Sequence, residues 1–363
     1  MRCRSRPGLL VLFYIFGVYN LTCLWSHSGT TGSWPKSAAF RMLLLPWIAA
    51  DSINSLTADE FRNLQTVLKE AAFNKTVIVT PLNKAWASKL LSYFLASFQD
   101  GDDTTRLLPT LLIFTLDPSA HKKCLEAHPH CILLESNGVD FSAEKPYMTR
   151  DYLRMTRKKI SFLSILLQMG YNFIFSDADV LWLRNPFSNF SPEADMELAC
   201  DFFNGNETDI HNLDNTGLMH VRSNNRTIEL FRYWDRHAKF YYHIHDQEVF
   251  DRIKLHAEFQ AIGAKIRFMP TEVFSGFCEP ASDIERVCTI HANCCQGLRS
   301  KLADLQLVQE DWNHFMRTRN RANRPKRFRA PRTCLKGCFS AFTSKPCYRS
   351  CYNRRLNVSS MST

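Results

Sequence analysis

Two aspartates two residues apart, Asp177 and Asp179, sit between apolar runs in Phe175-Ser-Asp177-Ala-Asp179-Val-Leu-Trp-Leu-Arg184-Asn-Pro186-Phe187. Paired carboxylates at a strand end suit a hard divalent cation that is also held by diphosphate oxygens. A lone D-x-D also occurs in solvated turns. Here Tyr171, Phe173, Ile174 and Phe175 precede the acids and Val180, Leu181 and Trp182 follow them, which predicts a largely buried setting. A carboxylate left unpaired there is costly, so a metal or a strong donor should meet the pair.

The elements that must position these acids follow from periodicity. Thr57-Ala-Asp-Glu60 reads as a capping box before Phe61, Leu64, Val67, Leu68 and Ala71 at helical spacing. Thr76 to Thr80 is a β-branched strand ended by Pro81, followed by a helical stretch around Trp86, Leu90, Leu91, Phe94 and Leu95. Strands are expected at 110–116, 131–134 and 171–176, with a short helix past Pro118 and a long one over 149–169. Short strands alternating with helices predict βαβ units and a mostly parallel sheet covered on both faces. That is an α/β nucleotide-binding architecture. No repeat of 20 to 50 residues suggests a solenoid or propeller.

Composition sets the outer limits. The chain has 363 residues, is 45% hydrophobic and carries 13 cysteines and a formal charge of +10. Disordered and low-complexity classes are excluded. Residues 317–332 hold eight Lys or Arg and no acid, so subtracting them leaves the rest of the chain near +2. That stretch has Phe328 as its one aromatic ring, which argues against nucleic acid; a solvated linker or contact with an acidic polysaccharide is the expectation.

The blocks that surround the acids resemble those of plant nucleotide-diphospho-sugar transferases, glycosyltransferase family 77. The similar segments are Gly170 to Phe187, Asp214 to Arg226, His245 to Phe250, His291 to Gly297 running on through Lys301 to Trp312, and the opening Thr76 to Trp86. The resemblance implies a GT-A (Rossmann-like) fold, a Golgi lumenal domain, a nucleotide-sugar donor such as a UDP-sugar, and retention of anomeric configuration. It implies Asp179 as principal metal ligand, Asp177 at the ribose or the metal, and His291 as third ligand to Mn²⁺ or Mg²⁺, against the plainer reading of a core histidine. Lys301 is placed for the diphosphate or for a solvated helix face. Thr80 and Asn83 would meet base or ribose, or make an ordinary cap. Arg154, Lys158 and Lys159 include candidates for phosphate neutralisation, Lys158 being the one assigned to the donor, against a plain surface charge for at least one of them.

On the same grounds Asn215 and Gly217, ahead of a strand over 218–221, allow close approach of a sugar. Asp246 and Gln247 open a helical stretch over 246–255. Asp246 reads as an N-cap or as the group that stabilises positive charge at the anomeric carbon, by a front-face or a covalent route. The acceptor would be a glycan or glycoprotein. The other class of function left open is a catalytically silent lumenal binding or scaffold protein.

The division expected along the chain is a cytoplasmic tail and signal anchor (1–25), a stem (26–56), a transferase domain (57–316), a basic linker (317–332) and a Cys-rich tail (333–363). Arg2, Arg4 and Arg6 precede 17 uncharged residues from Leu9 to Trp25, about 26 Å as a helix, which predicts a single-pass membrane anchor with the bulk in the lumen. A cleaved signal ending near Gly29 is the competing reading. The cysteine number fits an oxidising compartment. Cys278 with Cys288 would close a short loop, while Cys334-x3-Cys338 and Cys347-x3-Cys351 would staple a helical hairpin, with zinc as the alternative. Among the glycosylation sequons, those at Asn74 and Asn206 fall in expected loops; further ones begin at Asn189, Asn225 and Asn357.

Overall fold

In a computed structural model of the chain, residues 56–334 are described, apart from 135–139 and 146. The expected anchor, nearly all of the stem, and Cys338, Cys347 and Cys351 of the tail lie outside the described residues. Among the described residues no helix is long and apolar enough to cross a membrane.

The first helix, α1 (Ala58–Ala71), starts at the expected capping box: the Thr57 hydroxyl accepts the Glu60 N–H at 3.2 Å, and the Glu60 carboxylate accepts the Thr57 N–H at 2.8 Å. Strand β1 (Thr76–Leu82) follows, then α2 (Lys89–Asp100), β2 (Leu111–Thr115), α3 (Pro118–Ala127) and β3 (Cys131–Leu133). β1 does not stop at Pro81 as expected. Its ladder with the later strand β4 (Asn172–Ser176) covers Thr76 to Val79 only, so the donor that Pro81 lacks is not missed on that side. Trp86 falls in the turn before α2, and α3 is capped by Asp117, which accepts the Ala120 N–H at 2.9 Å, with Pro118 at its first position.

Long helix α4 (Arg150–Gln168) leads into β4, after which come β5 (Val180–Trp182), β6 (Met196–Phe202), β7 (Leu213–Val221), α5 (Asn225–Phe240), α6 (Asp246–Ile253) and α7 (Ala257–Ala261). Strands β8 (Ile266–Phe268), β9 (Phe274–Gly276) and β10 (Thr289–His291) and helix α8 (Leu298–Arg317) complete the order. Seven strands form one sheet in the order β3-β2-β1-β4-β7-β6-β8, and three form a second, β5-β10-β9. In the large sheet β7 runs antiparallel to β4 and β6, while the remaining pairs are parallel. The sequence order reverses between β1 and β4, so the switch point where open α/β sheets bind ligands lies outside the ends of these two strands.

Alternation along the strands divides the core. Val77, Val79, Phe173 and Phe175 pack with α1, α4, α5 and α6, whereas Ile78, Leu111, Ile113 and Ile174 pack with α2 and α3. Along α4 the predicted Leu153, Ile160, Leu163, Leu166 and Leu167 are all buried, each contributing about 1.5–3 kcal/mol of transfer free energy. The second sheet is covered by Leu305, Val308, Trp312 and Phe315 of α8.

The cysteine expectations are corrected in part. Cys278 pairs with Cys294, not Cys288, and Cys295 pairs with Cys334; Cys124–Cys131 ties α3 to β3, and Cys288 is a buried free thiol. Cys334 is therefore spent on the transferase domain and is not part of a separate hairpin. The basic stretch is not a free linker either. Arg329 pairs with Glu310 and Asp311 of α8, Arg324 with Glu285, and the backbone N–H groups of Arg332, Thr333 and Cys334 all donate to the buried Asp304 carboxylate. Two of its eight cations, Arg324 and Arg329, are thus paired with acids; such surface pairs contribute little each, and the backbone bonds to buried Asp304 add to them.

Candidate active site

The acidic pair is placed by two sheets at once. β4 ends at Ser176, the Asp177 N–H donates to the Gly217 carbonyl of β7 at 2.7 Å, and the chain turns tightly, with the Val180 N–H on the Asp177 carbonyl at 3.1 Å. It then enters β5, which pairs with β10 so that His291 lies opposite Val180; the Ala292 N–H donates to the Asp179 carbonyl at 3.0 Å. These ladders carry His291 to the acids across more than a hundred residues of sequence.

One ligand atom from each of Asp177, Asp179 and His291 falls within 4.8 Å of the others. His291 Nε2 is 3.3 Å from Asp179 Oδ1 and 3.9 Å from Asp177 Oδ2, and its buried Nδ1 has no hydrogen-bond partner among the described residues. The cluster is closed from below by Gly217. A Cβ there would come under 3.0 Å from His291 Cε1, 2.7 Å from Asp177 Oδ2 and 2.8 Å from Asn215 Oδ1. Two carboxylates and an imidazole are a donor set that suits Mn²⁺ or Mg²⁺, and the space kept clear by a glycine fits an ion held at this point.

The two acids differ electrostatically. Burial raises the Asp177 carboxyl to about 6, with Asp179 and Asp246 pushing the same way against Lys159 and His291. Burial would raise Asp179 too, but Lys301 and His291 outweigh it and hold this carboxyl well below the usual range. Lys301, on the first turn of α8, is 2.5 Å from Asp179 Oδ2 and 5.9 Å from the centre of the Trp86 ring, so it lies at the acids and not on a solvated face.

A second polar layer adjoins the first. Asp246 is the first residue of α6, not its cap, which is His245; it is buried, pairs with Lys159 and accepts the Thr216 hydroxyl at 2.9 Å. Lys159 also lies over the Phe175 ring at 4.8 Å. Asn215 sits inside β7 and not before it. Its Nδ2 donates to Asp201 at 2.7 Å, and its Oδ1 accepts the Gly217 N–H at 2.8 Å. Gln247 Nε2 donates to the other Asp201 oxygen at 3.1 Å, and Asn293 Nδ2 donates to Asp201 at 2.8 Å. Burial raises the Asp201 carboxyl against these amide donors and His291.

Lys158, the residue expected at phosphate, donates to the Leu134 carbonyl at 2.9 Å; its neighbour Lys159 is the one brought to the acids. Thr80 is fully buried near the end of β1, its hydroxyl lacking a hydrogen-bond partner among the described residues. Asn83 accepts the Trp86 N–H at 3.1 Å, which is the ordinary turn-capping role.

The residues that sequence reasoning missed are Asp201, Asn293, Thr216 and Tyr152. Tyr152 is held protonated by burial and then by Asp246 and Asp177. Helical spacing from Lys159 back to Tyr152, seven residues or about two turns, and the place of Asn293 two residues past His291 are signals that point to two of them.

A family model described as nucleotide-diphospho-sugar transferase matches residues 106–305. An uncharacterised Arabidopsis thaliana protein is 41% identical over 283 residues, 77% of this chain and 75% of its own length. A second from the same plant is 36% identical over 275 residues, 72% of this chain and 82% of its own. The Arabidopsis thaliana UDP-D-xylose:L-fucose alpha-1,3-D-xylosyltransferase 3 is 23% identical over 184 residues, covering 49% of this chain and 43% of its own. With the family shown, the mostly parallel sheet and its flanking helices are the expected GT-A arrangement.

Proposed function

Because the chain belongs to the nucleotide-diphospho-sugar transferase family and is a glycosyltransferase, we propose that it moves a pentose or hexose from a UDP-sugar to a glycan or glycoprotein, with retention of configuration and with a divalent metal. The observation that carries this reading is the Asp177, Asp179 and His291 cluster at the β1/β4 switch point, kept open by Gly217. Asp177, Asp179 and His291 would hold the ion, which when bound would supply positive charge against the diphosphate. Lys301, already at Asp179, adds a second positive charge on that side. A xylosyltransferase among the relatives supports a UDP-pentose as the first donor to try.

Asp246 stabilises positive charge at the sugar through space. Lys159 and Thr216 hold its carboxylate, and amide donors hold that of Asp201, so neither is a free nucleophile. That occupancy supports the front-face route over the covalent one. The acceptor hydroxyl then enters on the side from which the diphosphate leaves and passes its proton to the departing oxygen. Gln247 and Asn215, fixed through Asp201, orient the sugar hydroxyls.

Three disulfides among the described residues support an oxidising compartment, and we place the catalytic domain in the Golgi lumen behind the N-terminal anchor. The test of the enzyme is UDP release from UDP-xylose and other UDP-sugars with and without Mn²⁺, beside calorimetry of UDP binding. Asp179→Asn should lower metal affinity and turnover together, turnover by about 10²-fold or more, while the folded protein persists. Undiminished, metal-independent transfer by Asp179→Asn would overturn the assignment.

A further inference from the structure

Phe73-Asn74-Lys75-Thr76 is a two-residue hairpin turn on the side of the large sheet away from the acids. Asn74 and Lys75 both take left-handed backbone conformations, at φ 48° and 57°, and Phe73 and Thr76 exchange backbone hydrogen bonds of 3.0 and 2.9 Å. Asn is well suited to the first of these positions. Asn74-Lys-Thr76 is also an N-glycosylation acceptor, and Asn74 is exposed at the tip of the turn.

The ring that precedes it is unusual. Phe73 is 69% exposed and forms one wall of a groove of about 330 Å³ that Asn74 itself lines, together with Phe187, Phe190, His220 and Arg222. Phe187 is 41% exposed, whereas Phe190 is anchored by stacking on His220 at 4.4 Å. The groove also takes in Thr76 and Asn172, the first residues of β1 and β4, so it lies at the opposite strand ends from the acidic cluster. The other exposed sequons among the described residues are built differently. Asn206 Oδ1 is engaged by the Thr208 N–H and hydroxyl at 3.0 Å each, and Asn225 opens α5 with its Thr227 buried in the capping box.

We propose that Asn74 carries an N-linked glycan whose first sugar lies on Phe73 in this groove. The apolar C–H face of a pyranose covers an aromatic ring that is otherwise open to water, and the polar edge of the sugar faces Arg222 and solvent. Attachment joins the Asn74 amide nitrogen to the anomeric carbon of a lipid-diphosphate-linked oligosaccharide; the carbon–oxygen bond to the carrier breaks and the amide gives up one proton. The proposal rests on the lumenal route given above. A glycan here stabilises the fold and leaves the active site open.

The full chain expressed through a eukaryotic secretory pathway tests this by glycopeptide mass mapping and by melting of the wild type, Asn74→Gln and Phe73→Ser. The expected result is a glycan on Asn74 and a Tm lower by on the order of 2 °C in Asn74→Gln. Against a Phe73→Ser background, the same Asn74→Gln change should leave Tm unmoved. An unmodified Asn74 on a chain glycosylated at Asn206 overturns the site. A chain without glycan on any sequon overturns it together with the lumenal route, and equal effects of Asn74→Gln in both backgrounds overturn the packing on Phe73. Turnover of UDP-xylose by the same preparations reads the enzyme assignment separately, since none of these residues lies at the acids.

Discussion

Gly217→Ala should damage the site while sparing the fold. Gly217 lies inside β7 and has no positive φ to protect, so alanine is compatible with its backbone, and in a strand it stabilises by about 0.5–1 kcal/mol relative to glycine. The added methyl has nowhere to go. Ordinary Cβ contacts fall at 3.4–4 Å, whereas this one would come under 3.0 Å from His291 Cε1, 2.7 Å from Asp177 Oδ2 and 2.8 Å from Asn215 Oδ1. These groups must retreat by roughly 0.6–1 Å in an interior packed too closely to absorb the shift. A displacement of that size at positioned groups costs about 10²-fold in rate, and disturbed support of a metal ligand costs about 10–100-fold in affinity. Calorimetry of Mn²⁺ and UDP binding, UDP-sugar turnover and Tm measure the three consequences. Gly263→Ala is the matched control: its φ is +71° and nothing lies within 4 Å of the new methyl, so it should lower stability by about 1–2 kcal/mol and leave metal binding intact. Wild-type Mn²⁺ affinity and turnover in Gly217→Ala would refute the crowding reasoning and the site with it.

Lys159→Met strands the buried Asp246 charge and should cost about 3–5 kcal/mol of stability and most of the turnover, whereas Lys158→Met, which loses the hydrogen bond to the Leu134 carbonyl among its interactions, should keep turnover within a few-fold; denaturant melts and kinetics separate them. Because burial raises Asp177 to about 6, its contribution to the metal-free fold is present near pH 4 and is lost as pH rises through about 6, so Asp177→Asn should flatten that part of the Tm-against-pH curve in EDTA. Mn²⁺ affinity should fall below pH 6, where the ion must displace a proton from the same carboxyl, and calorimetry in two buffers counts that proton. Non-reducing peptide maps should show Cys278–Cys294 and Cys295–Cys334, and Cys334→Ser should cost about 3–4 kcal/mol, the closure entropy of a loop between cysteines 39 residues apart.

The sequence by itself determined whatever depends on a few neighbouring residues. The Thr57 cap, the apolar stripe of α4, the short strands, and an acidic pair at the end of β4 are set by helical and strand periods and by capping chemistry, all within about seven residues. The family-like blocks then marked Asn215, Gly217, Asp246, Gln247, His291 and Lys301, and the fold draws these together around the acids. Tertiary structure alone decided the rest. Lys158 and Lys159 are both cations on one helix, about 100° apart around its axis, and only the face that α4 packs on the sheet selects Lys159. Asp201 is an unremarkable acid at the end of β6 until Asn215, Gln247 and Asn293 arrive from three other segments to hydrogen-bond it. The pairing of Cys295 with Cys334, and of the basic stretch with α8, likewise depends on where elements tens of residues apart come to rest, because contact across such separations is set by packing and not by any period in the chain.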